Sequence, residues 1–246
     1  MPKTLILIPS RLSATRLPGK PLLKINGLSI ISHVVKKAQE SKIGETYVAT
    51  EDKEIVEDVE KNGGKAILTS KNHKTGSDRI FECFQKLNLK DVDYIINLQG
   101  DEPDIDIDDL KHLDRLVKKK SSEIGTLASK IKDKSILKNE NIVKVITETQ
   151  LGSQNFPLAL KFQRKIDQSE NQNVSHHIGI YAYKTEILEK IVKLGQSKNE
   201  IKNNLEQLRA IDNGIKINVA LAKSSSIGVD TMEDYLELKK ILEYKS

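Results

Sequence analysis

The segment that follows the first predicted strand concentrates positive charge. Between Pro9 and Pro21 it carries Arg11, Arg16 and Lys20, three cations within ten residues. Two arginines can fork onto phosphate oxygens, and a lysine adds a point charge. The loop therefore favours an anionic ligand such as a triphosphate, although a surface loop of solvated charges has the same composition. It lacks the GxGxxG of dinucleotide-binding proteins and the P-loop pattern, which disfavours both of those mechanisms.

Two aspartates occupy positions from which they could bind a metal ion. Asp101 comes just after the predicted buried strand Tyr94–Leu98, and Asp230 stands directly before the last predicted helix. One or two carboxylates, completed by phosphate oxygens and waters, suit Mg²⁺. From spacing alone Asp101 could equally be a turn residue. Asp230, followed three residues later by Glu233, has the pattern of a helix N-cap.

Apolar β-branched runs alternate with amphipathic helical stretches in the N-terminal half of the chain. This alternation predicts a parallel sheet with right-handed crossovers, in an α/β fold with helices on both faces. Ligands of such sheets bind beyond the carboxyl ends of the strands, where the basic loop and Asp101 lie. The predicted strands are Thr4–Ile8, Thr46–Ala49, Ala66–Thr69 and Tyr94–Leu98.

From about Glu123 extended segments replace the alternation and predict a smaller mixed or antiparallel extension of the sheet. Helical spacing returns from Ile201 to Ile211 and stops at Gly214. We expect one domain over residues 1–246, with about 123–185 forming a lid or an arm. The remaining predicted elements are the extended segments Gly125–Ile131, Ile142–Thr147 and Val174–Tyr183, a strand over Ile215–Ala222 and a final helix over Thr231–Leu242.

Composition excludes several classes of protein. The 246 residues are 37% hydrophobic and 30% charged and contain no long apolar run, which predicts a globular cytoplasmic protein without a membrane partner. The net charge of +5 comes without an aromatic and basic stripe, so nucleic acid is not an expected partner. The single cysteine, Cys83, lies on an apolar helical face and is expected in the core.

Of the five histidines, His33 and His112 fall in helical stretches, and the role of His73 stays open. His176 and His177 begin a predicted strand, in which neighbouring side chains point to opposite faces, so only one of them can point into a site. From the residues alone, an ordinary strand histidine remains the simpler interpretation.

Several motifs together resemble the 3-deoxy-manno-octulosonate cytidylyltransferases. They occur in family order over nearly the whole chain, beginning with Ile-Pro-Ser-Arg at Ile8–Arg11 and Thr-Arg-Leu-Pro-Gly-Lys-Pro-Leu at Thr15–Leu22. The resemblance implies a Rossmann-like nucleotidyltransferase fold. The other matching stretches are Val48–Asp52, His73–Arg79, Leu98–Pro103, His177–Tyr181, Leu205–Arg209 and Gly228–Thr231.

The resemblance implies Mg²⁺-dependent transfer of CMP from CTP to an acidic 3-deoxy keto-sugar, for lipopolysaccharide biosynthesis, by a cytoplasmic homodimer. It implies metal ligation by Asp101 and Asp230, and catalytic roles for Arg11, Lys20 and Asp101. The nucleotide contacts that it implies are Ser10, Arg11, Arg16, Lys20, Thr75, Gly76, Ser77, Arg79 and Gln99. The implied sugar contacts are Gln99, His177, Tyr181, Glu206 and Gln207.

The sequence departs from the family pattern on the sugar side. Pro157 and Leu158 follow Phe156 where the family has Ser-Arg, and Asn203 stands where a glutamate is usual. Either the acceptor is a variant 3-deoxy keto-acid, or Lys161 or Arg164 replaces the absent arginine. Two further alternatives are a cytidylyltransferase for another acidic sugar, such as a sialic acid, and a CTP-binding regulator without catalytic activity.

Overall fold

The structure is a computed structural model that describes residues 2–13, 16–166, 172–223 and 228–244. Thr15, from the first of the motifs above, lies outside the described residues. The chain divides into two compact units, one comprising Met1–Leu110 with Ser226–Ser246 and the other Lys111–Ser225. The expectation of a single domain stays a prediction.

Strands and helices alternate in the first part of the chain, and strands dominate the middle. In chain order the elements are β1 (Thr4–Ser10), β2 (Lys24–Ile25), β3 (Leu28–Ser29), α1 (Ile30–Ser41), β4 (Thr46–Thr50), α2 (Lys53–Lys61), β5 (Ala66–Leu68), α3 (Gly76–Leu87), β6 (Tyr94–Asn97), α4 (Ile107–Lys120), β7 (Ile124–Ser129), β8 (Lys144–Thr147), β9 (Ala159–Gln163), β10 (Val174–Lys184), α5 (Thr185–Lys193), α6 (Lys198–Asn203), α7 (Leu208–Asp212), β11 (Ile217–Leu221) and α8 (Met232–Tyr244). Short 3-10 helices span Lys20–Leu22 and Lys134–Lys138.

The first unit contains the predicted parallel sheet, in the order β6-β1-β4-β5. Its central strands are apolar because helices cover them, and Ile6, Ile8 and Ile96 have no exposed surface. The chain runs from β1 outward through β4 to β5 and then returns to the other side of β1 to form β6. Such a reversal opens a crevice beyond the carboxyl ends of the two strands between which it occurs, here β1 and β6.

Side-chain caps fix the starts of two helices in this unit. Ser29 Oγ accepts a hydrogen bond from Ser32 N at the start of α1, and Thr75 Oγ1 accepts one from Asp78 N at the start of α3. Cys83 is buried on α3 as expected, and burial raises the pKa of its thiol to about 12. That thiol therefore stays protonated and contributes to packing.

The second unit contains the predicted extension, a mixed sheet in the order β11-β7-β10-β8-β9. Only the β11–β7 pair is parallel. The mostly parallel sheet and its antiparallel extension confirm the predicted α/β fold class. No helix among the described residues is both long and apolar enough to cross a bilayer.

The single helix predicted from Ile201 to Ile211 is wrong. Asn204 adopts a left-handed conformation with φ of 50° and ends α6, and α7 starts four residues later. Asparagine tolerates this conformation at a helix C-terminus. The residue that seemed to begin an apolar stripe, Ile201, is 64% exposed.

Candidate active site

The basic loop after β1 folds back on itself and delivers Lys20 to the crevice. Leu12 N donates to Asp52 Oδ2 at 2.7 Å, and Gly19 N donates to Leu12 O at 3.0 Å. Gly19 has φ of 73°, a conformation open to glycine at little cost, and it allows the turn into the 3-10 helix that Lys20 begins. Lys20 is consequently buried, whereas Arg11 is exposed.

The Lys20 ammonium group lies between the two predicted metal ligands. Its Nζ is 2.7 Å from Asp101 Oδ2 and 3.3 Å from Asp230 Oδ1, and Arg16 Nη2 is 2.8 Å from Asp230 Oδ2. Val229 N also donates to Asp101 O at 2.9 Å, which joins the two carboxylate-bearing segments through their backbones. Four residues predicted to act together are thus brought together. The alternative interpretation of the basic loop, in which its charged side chains are only solvated, therefore does not hold for Lys20.

Asp230 does not cap α8. Thr231 Oγ1 accepts from Asp234 N at 3.2 Å, and Asp234 Oδ2 accepts from Thr231 N at 2.7 Å, which is a reciprocal capping arrangement one residue further along than the sequence suggested. Because Thr231 takes that role, the carboxylate of Asp230 is directed at Lys20 and Arg16 instead.

Gly100 is required by close packing in the loop that carries Asp101. A Cβ at this position would lie 2.9 Å from Pro9 O and 3.2 Å from Ile31 Cδ1. Gln99 lies beside it, and its Nε2 donates to Asn97 Oδ1 at 3.2 Å. The loop after β6 therefore packs against the end of β1 at Gly100.

Arg79, predicted to contact the nucleotide, is buried in a network within the first unit. Its guanidinium forms an ion pair with Glu51 and donates to Thr69 Oγ1 at 2.7 Å and to Ser70 O at 3.2 Å. These bonds tie the start of α3 to the ends of β4 and β5. A direct nucleotide contact by Arg79 stays a prediction.

The other predicted nucleotide residues surround the start of α3 and the end of β1. Thr75 caps α3, Ser77 is buried in its first turn, and a Cβ on Gly76 would lie 3.5 Å from Pro9 Cγ. Ser10, at the end of β1, has a buried hydroxyl that has no hydrogen-bond partner among the described residues. Their roles as contacts stay predictions.

Two acidic residues that sequence reasoning did not single out hold these loops in place. Asp52 accepts the Leu12 amide, as described above. Glu82 on α3 binds His73 and accepts from Ser70 N at 2.9 Å. Burial alone raises the pKa of Glu82, but hydrogen bonds from Lys86, His73 and Ser70 outweigh it and lower that pKa to about 2. Asp52 belongs to the family-like stretch Val48–Asp52, which could have indicated it. Glu82 lies in a stretch with helical spacing, and the sequence gives no other signal for it.

In the second unit, His177 and Tyr181 lie together in an aromatic cluster. The His177 ring is 5.0 Å from Phe162 and 5.5 Å from Tyr181, measured between centroids. Burial, then the charge of His176, lowers the pKa of His177 to about 3, so its imidazole is neutral in ordinary buffers. Burial raises the pKa of Tyr181 well above its usual value. Of the two adjacent histidines, His177 is the buried one.

The remaining predicted sugar residues, Glu206 and Gln207, lie between α6 and α7. This connection is held by a buried bidentate ion pair, in which Arg209 Nη2 and Nε are 2.6 and 2.9 Å from the carboxylate oxygens of Glu200. The pair leaves both side chains about 2–3% exposed.

Arg164, one candidate for the absent family arginine, binds backbone carbonyls. Its guanidinium donates to Glu140 O at 2.9 Å, to Asn203 O at 3.1 Å and to Asn204 O at 3.2 Å. Lys161, the other candidate, is exposed on β9. Whether either residue contacts a sugar stays open.

Comparison with known proteins decides the family. The chain matches the family model described as Cytidylyltransferase over residues 5–217. It is 43% identical to the 3-deoxy-manno-octulosonate cytidylyltransferase of Thermodesulfovibrio yellowstonii, with 97% of this chain and 98% of that protein covered. This chain belongs to the 3-deoxy-manno-octulosonate cytidylyltransferase family.

Further relatives of this family agree with the assignment. The protein of the same name from Brucella ovis is 41% identical over 94% of this chain and 92% of its own length. The solved structure of a CMP:2-keto-3-deoxy-manno-octonic acid synthetase complexed with CTP is 33% identical, has a TM-score of 0.89, and is covered over 100% of its chain and 99% of this one. A 4-diphosphocytidyl-2C-methyl-D-erythritol synthase from Anaerococcus prevotii, 13% identical with a TM-score of 0.64, shares the fold alone.

Proposed function

We propose that this chain transfers CMP from CTP to the anomeric hydroxyl of 3-deoxy-manno-octulosonate, giving CMP-3-deoxy-manno-octulosonate and pyrophosphate. The anomeric oxygen forms a bond to the α-phosphorus, the bond from that phosphorus to the α,β-bridging oxygen breaks, and the hydroxyl proton passes to solvent. The observation that carries the proposal is the position of Lys20 between Asp101 and Asp230, at the carboxyl ends of β1 and β6.

The two aspartates fit a magnesium ion that is bound together with a nucleotide. Among the described residues no group of three or more His, Cys, Asp or Glu is arranged as a protein-only metal cage. Two carboxylates already flank a cation, and Mg²⁺ with phosphate ligands needs no more from the protein. Asp101 and Asp230 would hold the ion. When bound, it would neutralise charge that develops on the phosphate oxygens.

The chain's own contribution is positioning and charge neutralisation, which is most of what phosphoryl and nucleotidyl transfer requires of a protein. When CTP arrives, Lys20 and Arg16 exchange aspartate oxygens for phosphate oxygens, and Arg11 adds a third cation. Asp52 keeps the loop in register by holding the Leu12 amide. Ser10, Thr75, Gly76, Ser77, Arg79 and Gln99 are proposed to complete the nucleotide site.

On the acceptor side we propose His177, Tyr181, Glu206, Gln207 and Gln99 as sugar contacts. Support comes from the family membership and from the buried cluster around His177. The position of the absent arginine, around Pro157 and Leu158, takes part in sheet contacts: Val219 N donates to Pro157 O at 2.9 Å. A cytoplasmic homodimer that acts in lipopolysaccharide biosynthesis is part of the same proposal.

The test is pyrophosphate release by the purified protein with CTP, with and without Mg²⁺, against a panel of acidic keto-sugars that includes a sialic acid. We expect turnover with 3-deoxy-manno-octulosonate that requires Mg²⁺ and that Asp101→Ala abolishes. Glu54→Ala, an exposed carboxylate on α2, is the matched control and should keep full activity. Turnover with a sialic acid alone would reassign the acceptor. CTP binding without turnover of any sugar would favour the regulator.

A further inference from the structure

Thr126 on β7 has a fully buried hydroxyl that faces three polar atoms of β10. Its Oγ1 lies 2.7 Å from Ile180 O, 3.3 Å from Ile178 O and 3.1 Å from His177 Nε2. Neither the composition nor the motif pattern of the chain draws attention to this threonine. Its contacts nevertheless involve the backbone and side chain of the His-Ile-Gly-Ile-Tyr stretch.

A β-bulge in β10 creates this arrangement. Ile178 pairs with Leu127 and Tyr181 pairs with Thr126, so the register shifts between Ile178 and Tyr181. Two carbonyls of β10 thereby reach the same hydroxyl. Bulges are frequent beside active sites because they re-aim side chains. Here the bulge separates the two residues proposed to bind sugar, yet their rings remain 5.5 Å apart.

The proton count at Thr126 decides which nitrogen of His177 carries hydrogen. A threonine hydroxyl has one proton to donate and lone pairs with which to accept. A carbonyl oxygen can only accept, so the short contact to Ile180 O takes the Thr126 proton. The contact with His177 must then run the other way, with Nε2–H donating to Thr126 Oγ1. Since the buried ring is neutral, Nδ1 is left as an acceptor.

We infer that Thr126 is a positioning residue that fixes His177 as its Nε2–H tautomer, so that Nδ1 can accept a hydrogen bond from a hydroxyl of the acceptor sugar. The sugar contact rests on the proposed function; the tautomer rests on the contacts of Thr126 alone. Phe162, edge-on to the imidazole, restricts the ring orientation further. Replacing Thr126 removes the acceptor while leaving His177 in place.

The first arm of the test reads the tautomer by ¹⁵N NMR of the imidazole in the substrate-free protein, with the signal assigned through His177→Gln. The parent should show a protonated Nε2 and an unprotonated Nδ1. Thr126→Ser, which keeps the hydroxyl, should match the parent, and Thr126→Val should shift the tautomer population. A parent with protonated Nδ1, or a Thr126→Val protein with an unchanged tautomer, would overturn the inference. If the valine variant does not fold, the parent and serine spectra still decide.

The second part of the test measures the contact between His177 and the sugar. Adding 3-deoxy-manno-octulosonate with a non-hydrolysable CTP analogue should move the Nδ1 resonance of the parent. Thr126→Val should raise KM for the sugar about tenfold, the scale of one buried hydrogen bond, with KM for CTP within about twofold. No Nδ1 response at saturating sugar overturns the contact. Absence of turnover by the parent, with the tautomer as expected, instead counts against the proposed function.

Discussion

Replacing Lys20 by methionine should strengthen metal binding while it weakens catalysis. In the protein without CTP, the Lys20 ammonium occupies the space between Asp101 and Asp230 where a divalent ion would bind, at 2.7 and 3.3 Å from their oxygens. A metal ion bound in the proposed position would have to displace it. Methionine keeps the length and apolar stem of the side chain and removes the competing charge.

The size of the effect on metal affinity follows from the exposure of the three side chains. The Lys20 side chain is 10% exposed, Asp101 32% and Asp230 47%. A hydrogen bond between charged, mostly buried groups contributes about 1.5–3 kcal/mol. The longer contact to the half-exposed Asp230 adds at most about 1 kcal/mol. The total is about 1.5–4 kcal/mol, and because 1.4 kcal/mol is a factor of ten, Lys20→Met should bind a divalent ion roughly 10- to 700-fold more tightly without CTP.

Mn²⁺ binding followed by electron paramagnetic resonance, without nucleotide, measures this directly. The control is Lys24→Met, an exposed lysine on β2, which should bind Mn²⁺ like the parent. With CTP and sugar, Lys20→Met should lose about 10²- to 10³-fold in kcat, the effect of deleting one preorganised electrostatic group. Equal Mn²⁺ affinity in parent and Lys20→Met would refute the reasoning, because the ammonium would then not compete for the carboxylates.

Three other perturbations test separate parts of the account. Arg209→Ala should destabilise the protein by about 3–5 kcal/mol in urea unfolding, because it leaves the Glu200 carboxylate buried and unpaired; a loss below 1 kcal/mol would contradict this. Arg16→Ala should change stability by less than about 1 kcal/mol, since its ion pair with Asp230 is exposed, yet raise KM for CTP; an unchanged KM would argue against a phosphate contact. The pKa of His177 is about 3 in the folded protein, below that of an unfolded histidine. Its effect on stability is therefore neutral above about pH 6.5 and increasingly unfavourable toward pH 3. His177→Gln should lose less stability than the parent between about pH 7 and pH 4, and equal losses in the two proteins would contradict this prediction.

The parallel sheet and its crevice could be predicted from local sequence alone. The strands of the first unit are continuous apolar runs because both faces are covered, and the helices between them follow regular apolar spacing. Ligands of parallel sheets bind beyond the carboxyl ends of the strands, so the loop of Lys20 and the loop of Asp101 could both be placed there from the sequence. Their direct contact joins residues 81 positions apart.

Features that depend on tertiary partners could not be predicted in this way. Asn204 interrupts the helix predicted from Ile201 to Ile211, and Arg164, the residue that follows β9, binds the carbonyls of Asn203 and Asn204 at the end of α6. The strand β9 itself was missed because Leu160 and Lys161 are both exposed, which breaks the alternation typical of a strand.

The sequence alone leaves a side chain's role open where two residues could serve one function or one residue could serve two. Asp230 and Thr231 are both good N-caps by type, and only the geometry shows that Thr231 caps α8. Similarly, an arginine in a nucleotide motif can either bind ligand or hold the scaffold. Arg79 contacts Glu51, Thr69 and Ser70, so its role in the scaffold became clear only from partners that lie 9 to 28 positions away in the sequence.

In the proposed reaction, the cations of the Lys20 loop and a magnesium ion held by Asp101 and Asp230 would bind the triphosphate while an acidic keto-sugar attacks its α-phosphorus. A single-turnover experiment with CTP labelled at the α-phosphate, 3-deoxy-manno-octulosonate and Mg²⁺ tests it most directly. The parent should transfer the label to a sugar–CMP product, and Asp230→Asn should transfer almost none. Label that remains in CTP for the parent, or full transfer by Asp230→Asn, would contradict it.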